Sequence, residues 1–166
     1  MTAAVTVRRR VVTWDEPIDL KQYAQLSGLE LLRRNLEIGY RSPIGELIGF
    51  RGISVEYGVV VLEGIPAECH YNPLGIVHGG FAATLLDAAM GSAVHSTLEA
   101  GHGYTTIELK VNYVRALTEQ TGPVRCEGRI IHRGKQIVTV EAKMADGLQK
   151  LYAHATSTCM VLPPRK

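Results

Sequence analysis

Asp87 is the residue whose type and place first suggest chemistry. It sits in Phe81-Ala82-Ala83-Thr84-Leu85-Leu86-Asp87-Ala88-Ala89-Met90-Gly91, a stretch with no other charge. A helix apolar on nearly every face is normally buried, and a buried carboxylate without a partner is costly or is held protonated. Asp87 is therefore either a structural acid bonded to a hydroxyl such as Thr84 or Ser92, or a group placed to react. The same helix opens on His78-Gly79-Gly80. Adjacent glycines at a helix N-terminus favour close approach of another molecule to the backbone. His78 has no second His, Cys or Asp at metal-ligand spacing, so no metal is expected; it either orients the loop through a backbone hydrogen bond or takes a direct part in catalysis. Asn72, before Pro73, either initiates a turn or serves the site.

The elements that must hold these residues follow from periodicity. Val5, Val7, Val11 and Val12 give residues 1–17 weak strand character broken by arginines, so an arm is expected there. From Ile18 to Ile38, leucines at three- and four-residue spacing predict helix. Gly28 interrupts it, Ser27 is a candidate N-cap for the second piece, and Gly39 stops it. A short helical segment follows over Ile44 to Phe50. Ile53 to Leu62 reads as two strands punctuated by Gly58, and Pro66 to Gly75 as loop. The apolar helix is predicted from Gly79 to Leu98. Beyond it, Tyr104 to Arg115 alternates Ile107, Leu109, Val111 and Tyr113 against Thr106, Glu108, Lys110 and Asn112. Three more strands follow, separated by a turn at His132 to Lys135 and by Asp146-Gly147, a strong hairpin signal. The organisation is an N-terminal arm (1–17) and a single domain (18–166), with a helical leader over 18–50 and a core over 51–162. The fold class is α+β: a long central apolar helix wrapped by a curved antiparallel sheet of five or six strands.

Composition excludes several classes of function. At 166 residues, with 46% hydrophobic and 20% charged residues, the chain suits one globular domain. A net charge of +2 with no basic-aromatic stretch argues against nucleic acid. Arg8-Arg9-Arg10 is expected to be a solvated tail. Cys69, Cys126 and Cys159 form neither a disulfide framework nor a metal motif and read as reduced thiols. No stretch reaches the roughly 18 apolar residues of a membrane span, and the N-terminus lacks a signal-peptide core. A soluble, cytoplasmic protein is expected.

The spacing Asn72, Gly75, His78, Gly79, Gly80, Leu85, Asp87, Gly91 resembles the hotdog-fold acyl-CoA thioesterases of the phenylacetic-acid-degradation type, relatives of the hydroxybenzoyl-CoA thioesterases. The likeness runs from Ser27 to Leu162 and includes Pro43-Ile44, Gly49-Phe50 and the strand at Tyr104 to Leu109. It implies that the Gly79 N–H binds the thioester carbonyl and that Asn72 holds or polarises that region. It implies too that Asp87 attacks the carbonyl or activates water. Thr106 falls where relatives position that water with a hydroxyl, and Thr105 is the neighbouring alternative. Gly80, Phe81, Leu47 and Phe50 would line the acyl site. Arg115, Arg133 and Lys135 are candidates for the coenzyme A phosphates. The resemblance implies no cofactor beyond the coenzyme A of the substrate itself.

The chemistry suits these residue types. A helix N-terminus offers unpaired N–H groups and partial positive charge to a developing oxyanion, and a carboxylate serves as nucleophile or general base. Spacing adds a constraint, because eight residues of helix separate Gly79 from Asp87 by roughly 12 Å. A base must act within about 3 Å, directly or through one water. One helix cannot supply both roles, whereas two antiparallel helices across a two-fold axis can. A homodimer is expected, paired further into a homotetramer. A hotdog hydratase would need a His with an acidic partner, which is not evident, and a non-enzymatic acyl-CoA sensor gains nothing from a buried Asp87. His70, His95, His102 and His154 are expected at the surface.

Overall fold

The computed structural model describes residues 6–164; Val5 of the predicted arm lies outside them. Residues 6–17 lack helix and strand, and the predicted first helical piece is only a 3-10 turn, Leu20–Tyr23. The short stretch before Ser27 cannot carry the cost of helix nucleation without a packed face. Helix α1 (Gly28–Glu37) begins where the second piece was expected. Its start is a capping box: Ser27 Oγ accepts from the Glu30 N–H at 3.3 Å, and Glu30 Oε2 accepts from the Ser27 N–H at 2.7 Å. Helix α2 (Pro43–Ile48) is capped by Ser42 and ends on Gly49 at φ 84°.

Strands β1 (Phe50–Glu56), β2 (Val59–Gly64), β3 (Gly103–Tyr113), β4 (Val124–Arg133), β5 (Ile137–Asp146) and β6 (Leu151–Leu162) form one sheet. Its order is β1-β2-β4-β5-β6-β3, and every neighbouring pair is antiparallel. Helix α3 (Gly79–His95) lies across it, touching all six strands. The helix stops three residues short of the predicted Leu98. Leu85, Leu86, Met90 and Val94 are fully buried, each side chain contributing about 1.5–3 kcal/mol.

Two features differ from expectation. The first is in α3, where Gly79, Gly80, Ala83, Thr84, Asp87, Ala88, Ser92 and His95 remain half-buried. These positions recur at three and four residues, so they form one stripe that the sheet covers only in part. The second is in β3, where a bulge between Thr106 and Glu108 inserts Ile107. The extra residue inverts the alternation. Ile107, expected to share a face with Leu109, points away and is 53% exposed. Thr106 instead joins Tyr104, Val111 and Tyr113 on the face toward α3, where each meets the helix or the core.

Candidate active site

The loop before α3 is built by Asn72, whose Oδ1 accepts from the N–H groups of Leu74 (2.9 Å) and Ile76 (3.4 Å). This folds Asn72–Ile76 into a tight turn with Gly75 at φ 75°. The His78 backbone N–H then donates to His70 O at 2.7 Å, setting the entry angle of the helix. His78 is exposed, and its Nδ1 accepts from the Gly80 N–H at 2.9 Å. A ring nitrogen that accepts carries no proton, so in this contact the ring hydrogen lies on Nε2. The Phe81 N–H donates to His78 O at 3.0 Å. Among the described residues, no hydrogen bond engages the Gly79 N–H. It is the free donor at a helix N-terminus.

Asp87 lies two turns along the same stripe. Thr106 Oγ1 donates to Asp87 Oδ1 at 3.0 Å, whereas Thr105 is exposed and its hydroxyl turns to Thr106 O at 3.5 Å. Neither Thr84 nor Ser92 bonds the carboxylate; Thr84 Oγ1 donates to Gly80 O at 2.8 Å. Behind Thr106 lies Cys159, its Sγ 3.9 Å from Thr106 Oγ1, with burial pushing the thiol pKa up. Tyr104 stands beside the next turn of the helix. Gly91 makes room for it, since a Cβ there would meet the Tyr104 hydroxyl at 2.5 Å. Burial first, then the charges of Asp87 and Cys159, push the Tyr104 pKa up to about 12. The phenol therefore stays protonated beside Asp87.

The acyl-side candidates are dispersed. A cavity of about 690 Å³ takes Phe50, Gly49, Ile65 and His70 into its wall. Phe81 lies behind the His70 ring, 4.8 Å centroid to centroid, and Leu47 is exposed. The Leu47 carbonyl, with that of Glu46, accepts from the Arg10 guanidinium at 2.9 Å. Arg10 also approaches Cys69 Sγ at 3.2 Å and His70 Nε2 at 3.3 Å. The arginine expected in a solvated tail thus caps the last carbonyls of α2, as cations do at helix C-termini. His70 and His95, expected at the surface, are half-buried, and burial lowers both pKa values; for His70 the Arg10 charge adds to it.

The basic candidates separate. Arg115 follows β3 near the Gly79 end and donates to Leu151 O at 2.7 Å. Arg133 lies at the far end of α3, donating to Thr97 Oγ1 at 3.2 Å and to Gly134 O, with Lys135 exposed beside it. Among the described residues no cluster of His, Cys, Asp and Glu could hold a metal ion, and no helix is long and apolar enough to cross a membrane.

Residue type alone did not single out Tyr113, Tyr104 or Arg10. Tyr113 carries a weak signal, alternating in step with Leu109 and Val111, whereas Tyr104 falls on the other face by simple alternation and joins Tyr113 only through the bulge. Arg10 carries none, because its partners are more than thirty positions away.

A model of the thioesterase superfamily matches residues 74–153. A Saccharolobus solfataricus protein named "Putative esterase" is 38% identical over 87 residues, which are 52% of this chain. The match spans 56% of that protein, little more than half its length. The 1,4-dihydroxy-2-naphthoyl-CoA hydrolase of Listeria monocytogenes is 29% identical over 121 residues, 73% of this chain and 97% of the hydrolase. Among solved structures, a phenylacetic acid degradation-related protein of Ralstonia eutropha has a TM-score of 0.70 at 27% identity. That likeness covers 78% of this chain and 98% of the other. The helix-in-sheet architecture is the hotdog fold.

Proposed function

The chain belongs to the thioesterase superfamily, and on that premise we propose that it hydrolyses an acyl- or aryl-coenzyme A at a site shared by two copies of the chain. The observation that carries this reading is the partly covered stripe of α3. It holds Gly79 with an unengaged N–H and Asp87 with Thr106 on one carboxylate oxygen. Those two groups stand roughly 12 Å apart along one helix, too far to act on one carbonyl. An antiparallel partner helix brings Gly79 of one subunit to Asp87 of the other. The bare β3 edge beside the stripe offers the surface for that pairing, and such dimers pair again into tetramers.

The Gly79 N–H polarises the thioester carbonyl and takes up its developing negative charge. The partner subunit's Asp87 accepts a proton from water, which adds to the carbonyl carbon while Thr106 keeps the carboxylate aligned. The C–S bond then breaks, coenzyme A leaves as thiolate and the acid is released. Attack by the carboxylate itself gives a mixed anhydride that water opens; both routes need Asp87 in the same place. His78 and Asn72 hold the loop that presents Gly79 and Gly80, and Thr105 flanks Thr106. The acyl group enters toward Phe50, Leu47 and Phe81. Arg115 on one side, with Arg133 and Lys135 from the far end of the partner helix, meets the coenzyme A phosphates. No cofactor takes part, and the three free thiols suit a cytoplasmic protein.

Thiol release from a panel of acyl- and aryl-CoA esters tests the reading. Asp87→Asn is expected to lower kcat at least a hundredfold, the scale of lost general-base catalysis. Near-normal turnover in that variant would remove Asp87 from the mechanism. Binding of CoA esters by wild type without hydrolysis would make the protein a sensor. Mixed Gly79→Pro and Asp87→Ala dimers should recover part of the activity.

A further inference from the structure

Tyr113 ends β3 and is 57% exposed, yet its hydroxyl reaches back to the helix and donates to Gly79 O at 3.2 Å. Its ring lies so near the glycine that a Cβ on Gly79 would stand 3.0 Å from Tyr113 Cζ. A side chain at this position would push the ring back by a few tenths of an ångström, which glycine avoids. At the other side, His78 Nδ1 takes the Gly80 N–H at 2.9 Å. Gly79 O and Gly80 N belong to one planar peptide group. Two side chains, one from the loop and one from the edge strand, therefore grip the same peptide at both ends. The preceding peptide is held as well, through His78 O and the Phe81 N–H. Without a side chain, Gly79 would otherwise have wide freedom in φ and ψ. With both adjoining peptide planes pinned, its φ and ψ are set and its free N–H has one direction.

We propose that Tyr113 is a positioning residue for the Gly79 N–H, completing with His78 a clamp on the Gly79–Gly80 peptide. The inference rests on the thioesterase reading for its catalytic meaning. A donor stabilises an oxyanion best when it is already aimed and needs no reorganisation during reaction. The phenol supplies that aim without touching the reacting atoms. Its loss raises the barrier to carbonyl addition while leaving ground-state binding of the coenzyme A ester in place.

Tyr113→Phe keeps the ring and removes only the donor. It is expected to lower kcat about five- to tenfold, the size of one neutral hydrogen bond, with KM within about twofold of wild type. Hydrogen exchange followed by NMR reads the clamp itself: the hydrogen-bonded Gly80 and Phe81 amides should exchange several-fold faster in Tyr113→Phe, and those of Ala89 to Ala93 should not change. A raised KM with unchanged kcat would make Tyr113 a substrate-binding group and overturn the proposal. So would unchanged exchange at Gly80 and Phe81. Should the wild type hydrolyse no thioester, the function fails on that result alone, while the exchange comparison still decides whether Tyr113 and His78 hold the peptide.

Discussion

The two edges of the sheet are treated differently. At the β1 edge, α1 and α2 pack beside the strand, and the Arg33 guanidinium donates to Val55 O at 3.4 Å and pairs with Glu56 at 2.8 Å. The arm adds a further layer there through Arg10 on α2. At the β3 edge, eleven residues run with no strand beyond them among the described residues, and Ile107 and Tyr113 are more than half exposed. Both strands carry a bulge, at Ile53 and at Ile107. A bulge therefore does not by itself distinguish them; cover does. A long bare edge is a hazard that proteins avoid unless a partner uses it. Here the bare edge lies over the partly covered stripe of α3, with Tyr113 above Gly79 and Thr106 above Asp87. The closed side completes the fold within one chain, and the open side holds the two halves of the candidate site.

That contrast can be broken at either edge. On the open side, Leu109→Glu places a charge where a second copy would pack. Sedimentation should show a shift to monomer and thiol release should fall more than tenfold, since an unpaired charge opposes burial. A variant that stays dimeric and active would detach the site from this edge. On the closed side the strongest lever is Gly28. Its N–H donates to Leu98 O at 2.9 Å, and a Cβ would lie 1.8 Å from His95 O, which is backbone and cannot swing aside. Gly28→Ala should cost about 2–3 kcal/mol by overpacking, seen as a lower denaturation midpoint with an unchanged oligomeric state. Arg10→Ala should have the smallest effect, about 1 kcal/mol from lost exposed hydrogen bonds, lowering Tm by a few degrees with kcat intact. A large loss of activity there would tie the arm to the site.

Much of the architecture is legible because it is local. Ser27 and Glu30 three residues apart predict the capping box, Gly58 at φ 75° turns β1 into β2, and Asp146-Gly147 turns β5 into β6. Gly79 and Asp87 stand out as a pair because both lie on one helix, where rise per residue converts spacing into distance. The face of Thr106 does not follow in the same way. Simple alternation puts it opposite Leu109, and only the pairing of β3 with β6 creates the bulge that turns it toward Asp87. The half-burial of His95 against α1, and of His70 against Phe81 and Arg10, likewise depends on segments far apart in the chain.

By itself, the sequence determined a buried helix that opens on glycines and carries one carboxylate, because helical period and backbone chemistry are properties of neighbouring residues. The tertiary structure alone decided which stripe of that helix is covered only in part, which hydroxyl meets the carboxylate, and that Tyr113 grips the peptide beside Gly79. Those outcomes depend on how β3 registers against β6 and lies along α3, and contacts across such separations are set by packing rather than by local preference.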